Sequence, residues 1–185
     1  MAKNWIFDSD FSFADEKFSR IYRFFVIEAP VDEKVSRRAK HLDVFNKASR
    51  KITDILKKNI PSLNKNWKTV LVRDRDEMEK IEQDVKNLCK QSKILDEVSD
   101  RKEVFIHTDM KKNKTKSLIY SIRCAFAHGA FSKTEFYGEQ YYFFENRDKG
   151  KLRGRIVVKE DNLIKIIDIF ENFDKYLKPI HKGVK

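Results

Sequence analysis

Hydrophobic positions recur at helical spacing over most of this chain and crowd together, strand-like, only near its end. In residues 12–28, "SFADEKFSRIYRFFVIE", Phe13, Phe18, Ile21 and Phe25 form a stripe that stops before Pro30. That is the pattern of an amphipathic helix closed by proline. Residues 31–58 carry Val35, Leu42, Phe45, Ile52, Ile55 and Leu56 on one side of a second predicted helix. Pro61 and the polar "SLNKN" interrupt the chain, and "WKTVLVRD" fits either a short extended segment or an irregular link. Met78, Ile81, Val85, Leu88 and Leu95 mark a third helix over residues 74–96, residues 99–111 are mixed and predict a loop, and a fourth helix spans residues 113–128.

After the fourth helix the period changes. "YYFFEN" and "RGRIVVK" are rich in aromatic and β-branched residues and flank "RDKGKL", whose glycine and charges suit a hairpin turn. Asp161 then caps a last helix over 162–178, with Leu163, Ile166, Ile167, Phe170, Phe173 and Leu177 facing inward. The expected fold is mainly α: an antiparallel bundle of about five helices with one β-hairpin, over residues 140–159, before the C-terminal helix. No repeat or shift of composition marks a second domain, so residues 1–185 are expected to form one.

Composition fits this picture. Five Gly and three Pro are too few for a turn-rich all-β protein. The net charge of +11, with basic runs at Lys111–Lys116 and Lys151–Arg155, makes a polyanion such as RNA a natural partner. The same runs suit lysines that solvate exposed helix faces. Cys89 and Cys124 have no disulfide-framework spacing, which suits a reducing cytoplasm. Asp8 and Asp10 interrupt any leader-like run, and no segment approaches a membrane span, so a cytoplasmic protein without membrane association is expected.

The chemistry centres on "SIRCAFAHGAF", residues 121–131. On a helical wheel at about 100° per residue, Leu118, Ile119, Ile122 and Phe126 share the core face. Arg123 and His128 lie off that face and bracket an arc holding Tyr120, Cys124 and Ala127, with Ser121 beside His128. Gly129 is placed to end the helix in a left-handed conformation, leaving His128 in the final turn, where the helix dipole favours a cation. A histidine there can give and take protons. The spacing equally suits a solvated arginine and a histidine that caps its own helix.

His41, His107, His128 and His181 are scattered, no metal-binding spacing occurs, and no glycine-rich phosphate loop is present, so neither metal nor cofactor is expected. Cys124 paired with His128 as a nucleophile is less favoured, because a free cysteine is usually a small buried hydrophobe.

"IRCAFAHGAF" resembles the signature of the HEPN domains, the higher-eukaryote and prokaryote nucleotide-binding family, whose pattern R-N-x-x-A-H-G is matched at Arg123, Ala127, His128 and Gly129. The hairpin and closing helix resemble one branch of that family, so the resemblance covers residues 113–178. It implies a helical bundle, commonly dimeric. Many members are metal-independent ribonucleases of toxin–antitoxin and defence systems, with the arginine and histidine of two protomers meeting in one cleft. Carried over, Arg123 and His128 are the catalytic pair, Tyr120, Ser121 and Cys124 the supporting face, and Lys111, Lys112, Lys114 and Lys116 the RNA guide. The implied partners are RNA, a second copy, and an antitoxin or defence-complex subunit. Cys124 stands where many active members carry asparagine, a stronger hydrogen-bonding group. The alternative is therefore a catalytically silent dimer that binds RNA, nucleotide or protein.

Overall fold

The computed structural model describes residues 9–31, 34, 38–72, 78–94, 103–109 and 113–177. In chain order the elements are α1 (Glu16–Tyr22), continued by a π-helical segment Arg23–Ile27, then α2 (Leu42–Asn59), α3 (Pro61–Asn66), β1 (Trp67–Leu71), α4 (Met78–Gln91), β2 (Val104–Asp109), α5 (Lys114–Ala127), β3 (Phe131–Phe136), β4 (Glu139–Asp148), β5 (Lys151–Lys159), α6 (Glu160–Glu171) and α7 (Phe173–Leu177). Among the described residues no helix is long and apolar enough to cross a membrane.

The mainly α bundle is overturned. The protein is an α/β fold around a five-stranded mixed sheet of order β1-β2-β5-β4-β3. β1 and β2 run parallel, joined across α4, and the other neighbours are antiparallel. The predicted hairpin is only its β4–β5 part. The segment read as loop, "VFIHTD", is β2, a near-central strand buried at Val104 through Thr108. "WKTVL" is the edge strand β1, and "FSKTEF" is the opposite edge, β3.

Both sheet faces are covered, so the strands show no polar alternation. Phe105, Tyr142, Phe144, Ile156 and Val158 join α1, α2, α5 and α6 in one core. Their neighbours Val104, Ile106, Tyr141, Phe143 and Val157 point the other way and meet Val85 and Cys89 of α4. Close approach of β2 and β5 requires a glycine: a Cβ on Gly154 would stand 2.7 Å from the Ile106 carbonyl oxygen. Opposite Gly154, His107 is fully buried. Trp67 Nε1–H donates to its Nε2 at 2.7 Å, which leaves Nδ1–H to donate to the Thr108 carbonyl at 3.0 Å. Burial, opposed by that carbonyl and by Asp109, pushes the imidazole down to about 4, so it is neutral at physiological pH.

Other expectations shift at element ends. The first helix starts at Glu16, where Asp15 accepts from the Lys17 and Phe18 amides, so Phe13 lies outside it and is 66% exposed. The second starts at Leu42 rather than residue 31. Pro61 opens the short α3 instead of breaking the chain, its missing N–H costing nothing at a helix start. The last helix divides at Asn172, leaving Leu177 40% exposed on α7. Val35 and Leu95, predicted core residues, lie outside the described residues, as do the side chains of Phe45 and Met78.

Candidate nucleic-acid site on helix α5

α5 is fixed at both ends by its own sequence. At its start the Asn113 side chain accepts from the Lys116 amide at 3.0 Å. Asp109, at the end of β2, accepts from the Asn113 amide at 3.2 Å and the Ser117 hydroxyl at 2.7 Å. At its end Gly129 takes φ +63°, the Ala130 amide donates to the Ala125 carbonyl at 2.8 Å, and the Gly129 amide donates to the Phe126 carbonyl at 3.2 Å. This Schellman arrangement stops the helix at His128 and turns the chain into β3.

Leu118, Ile119, Ile122, Ala125 and Phe126 are buried, as the wheel predicts. The outer arc consists of Lys116, Tyr120, Arg123 and Cys124, all half-buried, followed by the exposed Ala127 and His128. Arg123 and His128 therefore stand on the wetter side of the helix's last turn and a half. The Tyr120 hydroxyl and Cys124 thiol hydrogen-bond across one helical turn. Burial chiefly, then Cys124, raises the Tyr120 phenol to about 12, with Arg123 opposing and Asp148 adding to the rise. Tyr120 thus stays protonated at neutral pH and is a donor or a packing surface, not a base.

Two predicted members belong elsewhere. Ser121 is buried and faces the sheet, where its hydroxyl accepts from Asn146 Nδ2 at 3.1 Å. Lys114 turns inward: its ammonium donates to the Trp67 carbonyl at 3.0 Å and lies 4.8 Å from the indole centroid. Burial chiefly, with help from Lys57, lowers its pKa. It clamps α5 to the start of β1. Lys111 and Lys112 lie outside the described residues.

Sequence reasoning missed the β4–β5 turn as a neighbour of this face. Phe144 packs edge-on to Phe126 with centroids 4.9 Å apart, and Asn146 reaches Ser121, so β4 runs antiparallel to α5. Its continuation carries the exposed Asp148 close enough to α5 to act on the Tyr120 phenol. "RDKGKL" signalled a charged turn, but only the long-range packing of β4 says what it stands beside.

The other histidines form no common site. His107 is a core residue, and His181 lies outside the described residues. His41 borders a groove of about 630 Å³ lined by α1, the π-helical segment, Glu28, Lys40 and Glu171 at the end of α6. There Arg23 and Lys40 converge on Glu28 at 2.9 and 2.7 Å, and Arg20 pairs with Glu171 at 2.6 Å, so the charges of that groove largely cancel. Among the described residues no group of three or more His, Cys, Asp or Glu could hold a metal ion.

No protein-family model, curated protein or solved structure matches this chain.

Proposed function

We propose that the C-terminal half of α5 is a HEPN-type, metal-independent site for cleaving RNA, completed when two copies of the chain bring this face together. The observation that carries the reading is the pairing of Arg123 and exposed His128 at one helix end, around the small side chains of Cys124 and Ala127. Small residues let a second helix approach closely, and the flanking polar groups reach around it. After α5 come β3, the β4–β5 hairpin and α6, where the resemblance implies a hairpin and a closing helix alone. The sheet into which the hairpin is built is not part of that resemblance.

RNA brings its own nucleophile. His128 of one copy removes the 2′-hydroxyl proton, and the 2′-oxygen attacks the adjacent phosphorus. The bond to the 5′-oxygen breaks as His128 of the second copy, in its imidazolium form, protonates that oxygen. The products are a 2′,3′-cyclic phosphate and a 5′-hydroxyl end. The planar Arg123 guanidinium stabilises the charge gathered on the phosphate oxygens. No step requires a metal ion. A role as a toxin or defence effector, held by an antitoxin or within a complex, belongs to the same proposal.

A second reading has its own support. The Cys124 thiol, where the motif more often carries asparagine, bonds to Tyr120. A face so arranged suits a silent dimer that holds RNA, nucleotide or protein. The discriminating experiment incubates the chain and its His128→Ala variant with total RNA in EDTA and maps the cut ends. Cyclic phosphate ends made only by the unmodified chain support the nuclease. RNA bound but left intact by both supports the silent dimer.

A further inference from the structure

Two unusual pieces of backbone meet at the groove beside α1. The Glu28 amide donates to the Arg23 carbonyl at 3.0 Å, a π-type bond to the fifth residue back. On an α-helix, residues five apart lie about 140° round from each other. The π-type bond brings Glu28 over Arg23 instead, and their side chains pair at 2.9 Å. The Lys40 amide donates to the Glu28 carbonyl at 3.0 Å and holds the returning chain against this segment. His41 then takes φ +58°, a left-handed conformation uncommon for a residue with a side chain, and starts α2 without a side-chain cap. π-helical turns and left-handed residues of this kind cluster at functional sites.

The groove of about 630 Å³ that they frame is of small-molecule size. Its buried anchor is Glu28, whose Oε1 accepts from both Arg23 Nε–H and Lys40 Nζ–H. Burial alone would raise that carboxyl, but Lys40 and Arg23 outweigh it and hold it ionised. Glu171 steers Arg20 in the same way, through one Nη. The carboxylates thus cancel charge yet occupy only one nitrogen of each arginine. Among the described residues nothing takes the two Nη groups of Arg23, and the His41 imidazole has no hydrogen-bond partner. Cations fixed by carboxylates, with N–H bonds to spare, are preorganised donors for an oxyanion. A second cavity of about 640 Å³ shares His41 and Glu171 with the first and has Val44, Phe173 and Leu177 on its wall.

We infer that this groove is a binding site, apart from α5, for a small molecule bearing a phosphate group. Arg20, Arg23, Lys40 and His41 hold the phosphate, and the rest of the ligand lies toward the cavity beyond His41. A phosphate monoester suits it better than a carboxylate, because its three acceptor oxygens can take a guanidinium fork and further donors at once. A small ligand suits it better than a strand of RNA. Glu16, Glu28 and Glu171 stand around the same opening and repel a chain of phosphates, whereas a single group is met by the cations. The inference does not depend on α5 acting on RNA.

The test follows the His41 imidazole by two-dimensional proton–carbon NMR as sodium phosphate replaces sodium chloride at fixed pH and ionic strength. The full chain carries His128→Ala, so that phosphate at α5 does not enter the reading. The His41 signal is assigned by its loss in His41→Asn, since asparagine tolerates the left-handed conformation. It should move with phosphate and saturate. Arg23→Gln should raise the half-saturating concentration roughly 10- to 150-fold, the worth of hydrogen bonds to a charged group. Lys40→Gln, at a half-exposed side chain, should raise it too and carries the test if Arg23→Gln does not fold. Glu16→Gln should lower it. Sodium acetate should need at least about tenfold more to reach half-saturation, the worth of one such bond. A His41 signal that follows chloride and phosphate alike, or a saturation unmoved by Arg23→Gln and Lys40→Gln, overturns the site. Acetate that binds as tightly as phosphate overturns the phosphate assignment.

Discussion

Ser121 and Asn146 tie the site helix to the sheet: the Asn146 side-chain amide donates to the Ser121 hydroxyl at 3.1 Å, and both residues are buried. Neither group has water to fall back on, so removing one strands the other. Ser121→Ala and Asn146→Ala should each destabilise the protein by about 1–3 kcal/mol. The double variant should cost less than their sum, by about 0.5–1.5 kcal/mol. Urea unfolding of the four proteins checks this, and strict additivity would mean the bond contributes nothing.

Gly154 is a matter of space. A methyl there would stand 2.7 Å from the Ile106 carbonyl oxygen and 3.1 Å from Cα and Cβ of His107. Backbone in the middle of a sheet yields little, so Gly154→Ala should cost about 1–3 kcal/mol. Thermal unfolding should show a midpoint lower by several degrees. An unchanged midpoint would place β5 in a different register against β2.

His107 predicts a pH window. Its imidazole falls from an ordinary 6.5 to about 4 on folding, through burial. Between those values the unfolded chain binds a proton that the folded chain refuses, so stability is full above 6.5 and drains as pH falls toward 4. The loss amounts to about 3 kcal/mol for a shift of this size. Asp15, Glu28 and Asp168, whose carboxyls lie below their ordinary values, lose their contributions at lower pH. Urea midpoints measured across the window should slope downward in the unmodified chain and flatten in His107→Gln. The same slope in both would assign the titration to another group.

The parts of this fold legible in the sequence were those set by neighbours along the chain. α5 and α6 declared themselves by the spacing of Leu118, Ile122 and Phe126 and of Leu163, Ile166 and Phe170. The β4–β5 hairpin did so by two aromatic and β-branched runs around a glycine turn. β2 did not, because a strand buried on both faces shows no alternation, and its His107 and Thr108 read as loop residues. Its partners are β1 and β5, the latter some 50 residues away in sequence, so pairing leaves no local period. The candidate site divides in the same way. Arg123, Cys124 and His128 follow from the wheel. The inward turn of Lys114 onto Trp67 and of Ser121 onto Asn146, and the approach of the 147–150 turn, come from the sheet that the wheel could not include.

The central claim is that one active site needs Arg123 and His128 from two copies of the chain. Cleavage per chain, measured over a dilution series alongside sedimentation of the same samples, tests it most directly. The account predicts that turnover per chain falls as the dimer dissociates, reaching zero with the last dimer. Constant turnover in a strictly monomeric solution would contradict it.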